Sequence, residues 1–185
     1  MRLLIATVLI ALIEVAIVPN DAAAQARYQS SISLSGGSYA ASGFGTNGYV
    51  GAAYNYLFGG GKYFVEGGLG FGSLKSDVLE QVSKSQIFDN DRLFTYEFLV
   101  GIDANPGGPL PYFVAGVAGV NQGGQSRFAG VIGLGKRIPI PGFLGSNQIG
   151  FRFDVHDQIY SQTINNGSPF VTHNILATLG LNLFF

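Results

Sequence analysis

The chain has 185 residues, of which 47% are hydrophobic, 13% aromatic and only 11% charged, where an ordinary soluble domain carries about 25% charged residues. Mean hydropathy is +0.30, yet past the amino-terminal stretch no apolar run approaches the ~18 residues of a membrane helix. A net charge of −1 gives no electrostatic footprint for nucleic acid, and the lack of cysteine excludes disulfides and thiolate metal sites.

An apolar composition without membrane helices points to a membrane-spanning barrel, whose signal is alternation. Met1 to Ala26 reads as a secretory signal peptide: Arg2 is the positive start, Leu3 to Val18 the apolar core, and Ala24-Gln25-Ala26 the small-x-small cleavage site. The remaining 27–185 is expected to be one barrel domain. Gln29 to Tyr39 sets Ile32, Leu34 and Gly36 against Ser31, Ser33 and Ser35, and Asn47 to Phe58 sets Val50, Ala52, Tyr54, Tyr56 and Phe58 against Tyr49, Gly51, Ala53 and Asn55. Gly59-Gly60-Gly61 suits a tight turn into Tyr63 to Ser73, with Glu66, Gly68 and Gly70 on its polar side.

Leu74 to Arg92 breaks the alternation with mixed charges and is expected to be a long loop. Leu93 to Ala104 resumes it, with Phe94, Tyr96, Phe98, Val100 and Ile102 opposed to Thr95, Glu97, Leu99, Gly101 and Asp103. Pro106, Gly107, Gly108, Pro109 and Pro111 enforce a turn. Tyr112 to Val120 and Phe128 to Lys136 are strands around an Asn121 to Ser126 loop. Gln148 to His156 follows, with Gly150, Arg152, Asp154 and His156 on one face. Asp157 to Thr172 reads as loop, and Ile175 to Phe185 as the closing strand.

About eight strands of roughly 9–12 residues match what a tilted strand needs to cross a bilayer. The predicted fold is therefore an all-β, eight-stranded antiparallel up-and-down transmembrane β-barrel. With the polar set inward, parity pairs Asn55 with Glu66, Glu97 with Gly119 and Arg152 with Thr178. A one-residue slip would place Arg152 in lipid at roughly 2–4 kcal/mol.

The expected lumen ion-pair network is Glu66, Glu97, Asp103, Arg152 and Asp154, with Arg127 and Arg137 near the rims. Eight strands leave a bore just wide enough for side chains to fill, so these charges must pair. Arg152 is the expected hub, level with Glu97 and Glu66 across the bore. No metal site is expected: His156 and His173 have only Asp154 as an obvious co-ligand. Gly67 to Gly72 is no phosphate loop, because no helix or Gly-Lys-Ser/Thr follows it.

The end of the chain resembles the carboxy-terminal assembly signal of bacterial outer-membrane barrels, carried by Thr178, Gly180, Leu183 and Phe185. As a whole, 27–185 looks like the small outer-membrane β-barrel superfamily that includes the transmembrane domain of OmpA. More narrowly, Arg152 to Asp157, then Thr172-His173-Asn174 and the final G-L-N-L-F-F, is similar to an outer-membrane barrel family of myxobacteria and related groups. The resemblance implies an integral protein of the bacterial outer membrane, exported through the periplasm and in contact with outer-membrane lipids and the barrel assembly machinery. It implies no activity. The expected role is structural, surface display or interaction with an extracellular or periplasmic protein, without enzyme activity, cofactor or nucleic acid. The alternatives are a small channel or hydrophobic-solute carrier, and then an outer-membrane lipid-modifying enzyme. Some barrels of this size are lipid A deacylases with an outward His-x-Ser pair; His156-Asp157-Gln158 lacks the serine, and parity points His156 inward.

Overall fold

The computed structural model describes residues 28–41, 45–73, 92–108, 110–140, 149–163 and 168–185. The signal-peptide assignment and most of the Leu74 to Arg92 loop lie outside them. Eight strands follow one another as β1 (Ser30–Ala41), β2 (Gly45–Phe58), β3 (Tyr63–Ser73), β4 (Arg92–Ile102), β5 (Tyr112–Gln122), β6 (Gln125–Pro139), β7 (Ile149–Gln162) and β8 (Phe170–Phe184). Each pairs antiparallel with its neighbours in sequence, and β8 closes on β1, so the sheet is an eight-stranded barrel without edges. At the seam, Ser30 and Phe185 exchange both backbone hydrogen bonds, at 3.0 and 2.9 Å.

Alternation explains why these segments are strands of a barrel in lipid. On β8, Leu179 and Leu181 face out, at 60% and 55% exposure, while Leu176, Thr178, Asn182 and Phe184 are buried inside. The same division holds round the wall, giving an outer belt of Leu34, Val50, Leu69, Phe98, Phe113, Ile132 and their neighbours. An apolar surface this continuous is soluble only in hydrocarbon. Aromatic rings gather at both ends of the belt. Near the termini Phe58 stacks on Tyr63 at 5.7 Å and Tyr54 lies 6.5 Å from Phe185; at the far end Phe71 and Phe94 are 4.9 Å apart. These are the two interfacial girdles of a membrane barrel.

Several strands run further than the alternation suggested. The expected Asn121 to Ser126 loop is a two-residue turn, Gly123-Gly124, with φ of 58° and 88° between paired Gln122 and Gln125, the left-handed pair that a tight hairpin needs. The expected Asp157 to Thr172 loop is mostly ladder: β7 continues to Gln162 and pairs with β8 back to Phe170. Its inward residues there, Gln158, Tyr160 and Gln162, are polar because that face looks into the barrel mouth.

Two expected pairings also change. Asn55 does stand opposite Glu66. Glu97, however, is opposite Ala118, while Gly119 faces outward opposite Tyr96. A side chain at Gly119 would run into the Tyr96 ring, so the glycine makes room for the aromatic on the lipid face. Arg152 pairs with Gly180, and Thr178 is opposite Asp154, a shift of two residues that keeps the face and changes the level.

Candidate functional site: the charged lumen

Inward positions fill the barrel. Near the termini Leu57, Phe64, Tyr112 and Phe184 form an apolar floor, each at most 2% exposed. Glycine is required where these rings lie flat: a methyl group at Gly101 would strike Phe64, and one at Gly70 would strike Tyr49. Above the floor the lumen becomes charged.

Arg152, 3% exposed, projects from β7 into the middle of the bore. Its Nε donates to Asp154 Oδ2 at 2.5 Å, and Nη2 donates to Asp154 Oδ1 at 3.1 Å and to Glu66 Oε1 at 2.9 Å. Nη1 lies 2.8 Å from Glu66 Oε2 and donates to Ser33 Oγ at 3.2 Å. The planar guanidinium thus engages two carboxylates from different strands, a geometry that lysine cannot copy. The Tyr112 hydroxyl also donates to Asp154.

Glu97 does not join this hub. It belongs to a second contact nearer the far end, where His156 Nδ1 lies 3.2 Å from Glu97 Oε2 and Gln158 Nε2 donates to Oε1 at 2.5 Å. Asp103 is also apart. It sits buried just beyond β4 and accepts the Asn105 backbone N–H at 3.1 Å. Burial raises its carboxyl above the usual range, against the lowering pull of that N–H and of nearby Arg137 and Lys136. Of the five expected lumen residues, Glu66, Arg152 and Asp154 form one cluster; Glu97 is held by His156 and Gln158, and Asp103 belongs to the rim.

Arg137 lies deeper than expected. It is 1% exposed and stands directly across the ladder from Arg152. Its guanidinium lies 3.9 Å from the centre of the Phe64 ring and 4.5 Å from that of Tyr112, and Nη2 donates to Asn55 Oδ1 at 2.8 Å. Among the described residues no carboxylate reaches it, so the ring faces carry its charge. Arg127, by contrast, is partly exposed at the far end, 6.0 Å from the Tyr160 ring.

Parity turns His156 inward and sets Arg137 near the lumen rim, whereas Gln158 was expected in a loop; which residues these side chains meet depends on stagger between strands that are not neighbours. The assembly-signal positions lie on β8 or at its end: Thr178 and Gly180 inward beside Asp154 and Arg152, Leu183 outward, and Phe185 in the seam.

A closed eight-stranded barrel with an apolar belt, two aromatic girdles and a filled polar interior is a small integral outer-membrane β-barrel protein. In shape the chain is similar to Neisserial surface protein A (NspA), with a TM-score of 0.55 over 85% of this chain and 97% of that one, at 12% identity. It also overlays the N-terminal β-barrel domain of Pseudomonas aeruginosa OprF (16% identity, TM-score 0.48, 85% of this chain and 99% of that one). A third similar structure is a major outer membrane protein from Thermus thermophilus (13% identity, TM-score 0.49, 84% of this chain and 99% of that one). The likeness in fold rests on the first of these. No protein-family model matches the chain, and no curated protein matches it in sequence.

Proposed function

We propose that this chain is a non-enzymatic outer-membrane protein whose barrel is a plugged scaffold, and that its role is carried by the segments it displays or by a protein partner. One observation carries the reading: the Arg152 fork ties β7 to β3 across the bore through Glu66, at 2.8 and 2.9 Å, above a floor of buried apolar side chains. A channel or hydrophobic-solute carrier needs a continuous bore, whereas the cavity next to this cluster measures about 40 Å³. In this reading residues 1–26 are removed on export, and Thr178, Gly180, Leu183 and Phe185 are read by the barrel assembly machinery. Outer-membrane lipids cover the belt, and 74–91 and 163–169 face outward. The narrower kinship, with outer-membrane barrels of myxobacteria and related groups, rests on Arg152 to Asp157, residues 172–174 and the final six residues.

The test is conductance of the purified, refolded protein in planar bilayers at neutral pH. The expected result is a silent membrane with folded barrel incorporated. Steady ion-conducting openings would replace the plugged scaffold with the small-channel reading.

A further inference from the structure

The outer wall carries a hollow that the barrel's own packing does not require. It measures about 410 Å³ and is lined by Gly37, Gly48, Tyr49, Val50, Phe71 and Gly72. Val50 and Phe71 belong to the lipid-facing belt, so the hollow opens toward lipid. Across the ladder Ser38 stands opposite Gly48 and Gly36 opposite Val50, which keeps the adjoining face of β1 shallow as well.

Glycine weakens a strand and is retained where another group must come close. At Gly119 that group is the Tyr96 ring, and at Gly101 it is Phe64. A methyl group at Gly48 would meet nothing within 4 Å, and one at Gly36 would only touch the Tyr49 carbonyl oxygen at 3.9 Å. No side chain among the described residues fills the space that these two glycines leave.

A cation stands above the hollow. Phe71, on its edge, lies 4.9 Å from Phe94 in the aromatic girdle away from the termini. Two residues beyond Phe94, on the same face of β4, Arg92 is exposed and paired with Ser73. Its carbonyl accepts the Gly123 N–H at 2.9 Å, which fixes its backbone. Two residues of strand span roughly 6–7 Å, so Arg92 sits just past the girdle at the level of lipid headgroups, with the hollow at the level of the first methylenes. The outer faces of β1, β2 and β3 hold no acid. Farther round the wall, Asp157 and His173 pair with each other at 2.7 Å.

We propose that this wall is a binding site for a phosphorylated glycolipid of the outer leaflet, with one acyl chain in the hollow over Gly36 and Gly48 and a phosphate on the Arg92 guanidinium. The planar fork of arginine matches phosphate oxygens. A zwitterionic phospholipid brings its own ammonium group to its phosphate, whereas the glycolipid phosphate needs a cation from the protein. A second barrel fits the hollow poorly, because two convex walls meet along a line, while a single methylene chain can follow the depression and gain close packing. The site rests on the end away from the termini facing outward and is independent of the plugged lumen.

The test titrates the full-length folded barrel in detergent with lipid A and reads one-to-one adducts by native mass spectrometry. Phosphatidylethanolamine is the comparison lipid, and heat-modifiable gel migration checks folding. A hydrogen-bonded charge pair contributes about 1.5–3 kcal/mol, so lipid A should be retained on the order of tenfold more strongly than the zwitterion, and Arg92→Gln should remove that advantage. Stripping the phosphates from the lipid should cost as much as Arg92→Gln and nothing further in that variant. Gly48→Leu should weaken lipid A binding by a similar factor, with Gly36→Leu in its place if that barrel does not fold. Gly130→Leu, at an exposed glycine of β6 on the opposite wall, should leave binding unchanged.

Equal retention of the two lipids, an Arg92→Gln barrel that still discriminates against the dephosphorylated lipid, or a filled hollow that binds as the Gly130→Leu control does overturns the site. None of these outcomes bears on conductance, and steady openings in planar bilayers would leave the lipid site standing.

Discussion

The most consequential perturbation is removal of Arg152. Arg152→Ala withdraws four close contacts to Glu66 and Asp154, at 2.5 to 3.1 Å, and one to Ser33. It leaves two carboxylates in a space 3% to 6% exposed, with the His156 ring, 3.8 Å from Asp154 Oδ1, beside one of them. Breaking a buried pair by removing one partner costs about 3–5 kcal/mol. With a slope of ~2 kcal/mol per M in urea, the unfolding midpoint should fall by roughly 2 M. The midpoint is read from refolded barrels in vesicles by the loss of heat-modifiable migration.

A double-mutant cycle separates this cause from simple loss of packing. Glu66→Gln removes one of the stranded charges, so the double variant should lose less than the sum of the two single variants, with a coupling between about 0.5 and 3 kcal/mol. If Arg152→Ala unfolds at the wild-type urea concentration, or if the two substitutions simply add, the charged cluster does not hold the barrel and the hub assignment fails.

Other substitutions address parts of the structure independent of that cluster. Arg137→Met should cost clearly less than Arg152→Met in the same assay, because no carboxylate loses a partner and a flexible apolar side chain can lie between Phe64 and Tyr112. Gly101→Ala should cost about 1–3 kcal/mol, since the new methyl group must displace the Phe64 ring from a floor without spare room. Deleting Phe185 should leave the protein in the periplasm or degraded, because the residue closes the β1–β8 seam through Ser30; heat-modifiable barrel in the membrane fraction would contradict this. An epitope placed within 74–91 or 164–167 should be labelled on intact cells, and one at Gly60 or Gly107 should not, the reverse pattern meaning that the barrel is inserted the other way up.

The architecture was legible because lipid and lumen impose opposite demands on successive residues. On β8, one face from Ile175 to Phe185 is apolar and the other carries Asn174, Thr178, Gly180 and Asn182, so both strand and orientation can be read from period two. Strand ends were less legible for the same reason. Past the belt the outer face need no longer be apolar, and Asp157, Ser161 and His173 resemble loop composition although the ladder continues through them. Gly119 misled in another way: a glycine carries no polarity, so nothing local indicated that it faces lipid beneath Tyr96.

The lumen was only half legible because alternation specifies a face, not a height. Eight tilted strands are staggered as the sheet closes, so two inward residues meet only if their levels agree after that stagger is summed round the wall. Arg152 and Glu66 belong to β7 and β3, half the circumference apart, and only the closed register shows that they are level. The same stagger raises Glu97 one step toward the far mouth, where His156 and Gln158, two and three inward steps above Arg152 on β7, are waiting for it. Charge pairing and closure thus constrain each other: a register shift of two residues in one strand would preserve every inward face and still pull Glu66 from the guanidinium. The Arg152 fork therefore selects among registers that the hydrophobic pattern alone leaves equivalent.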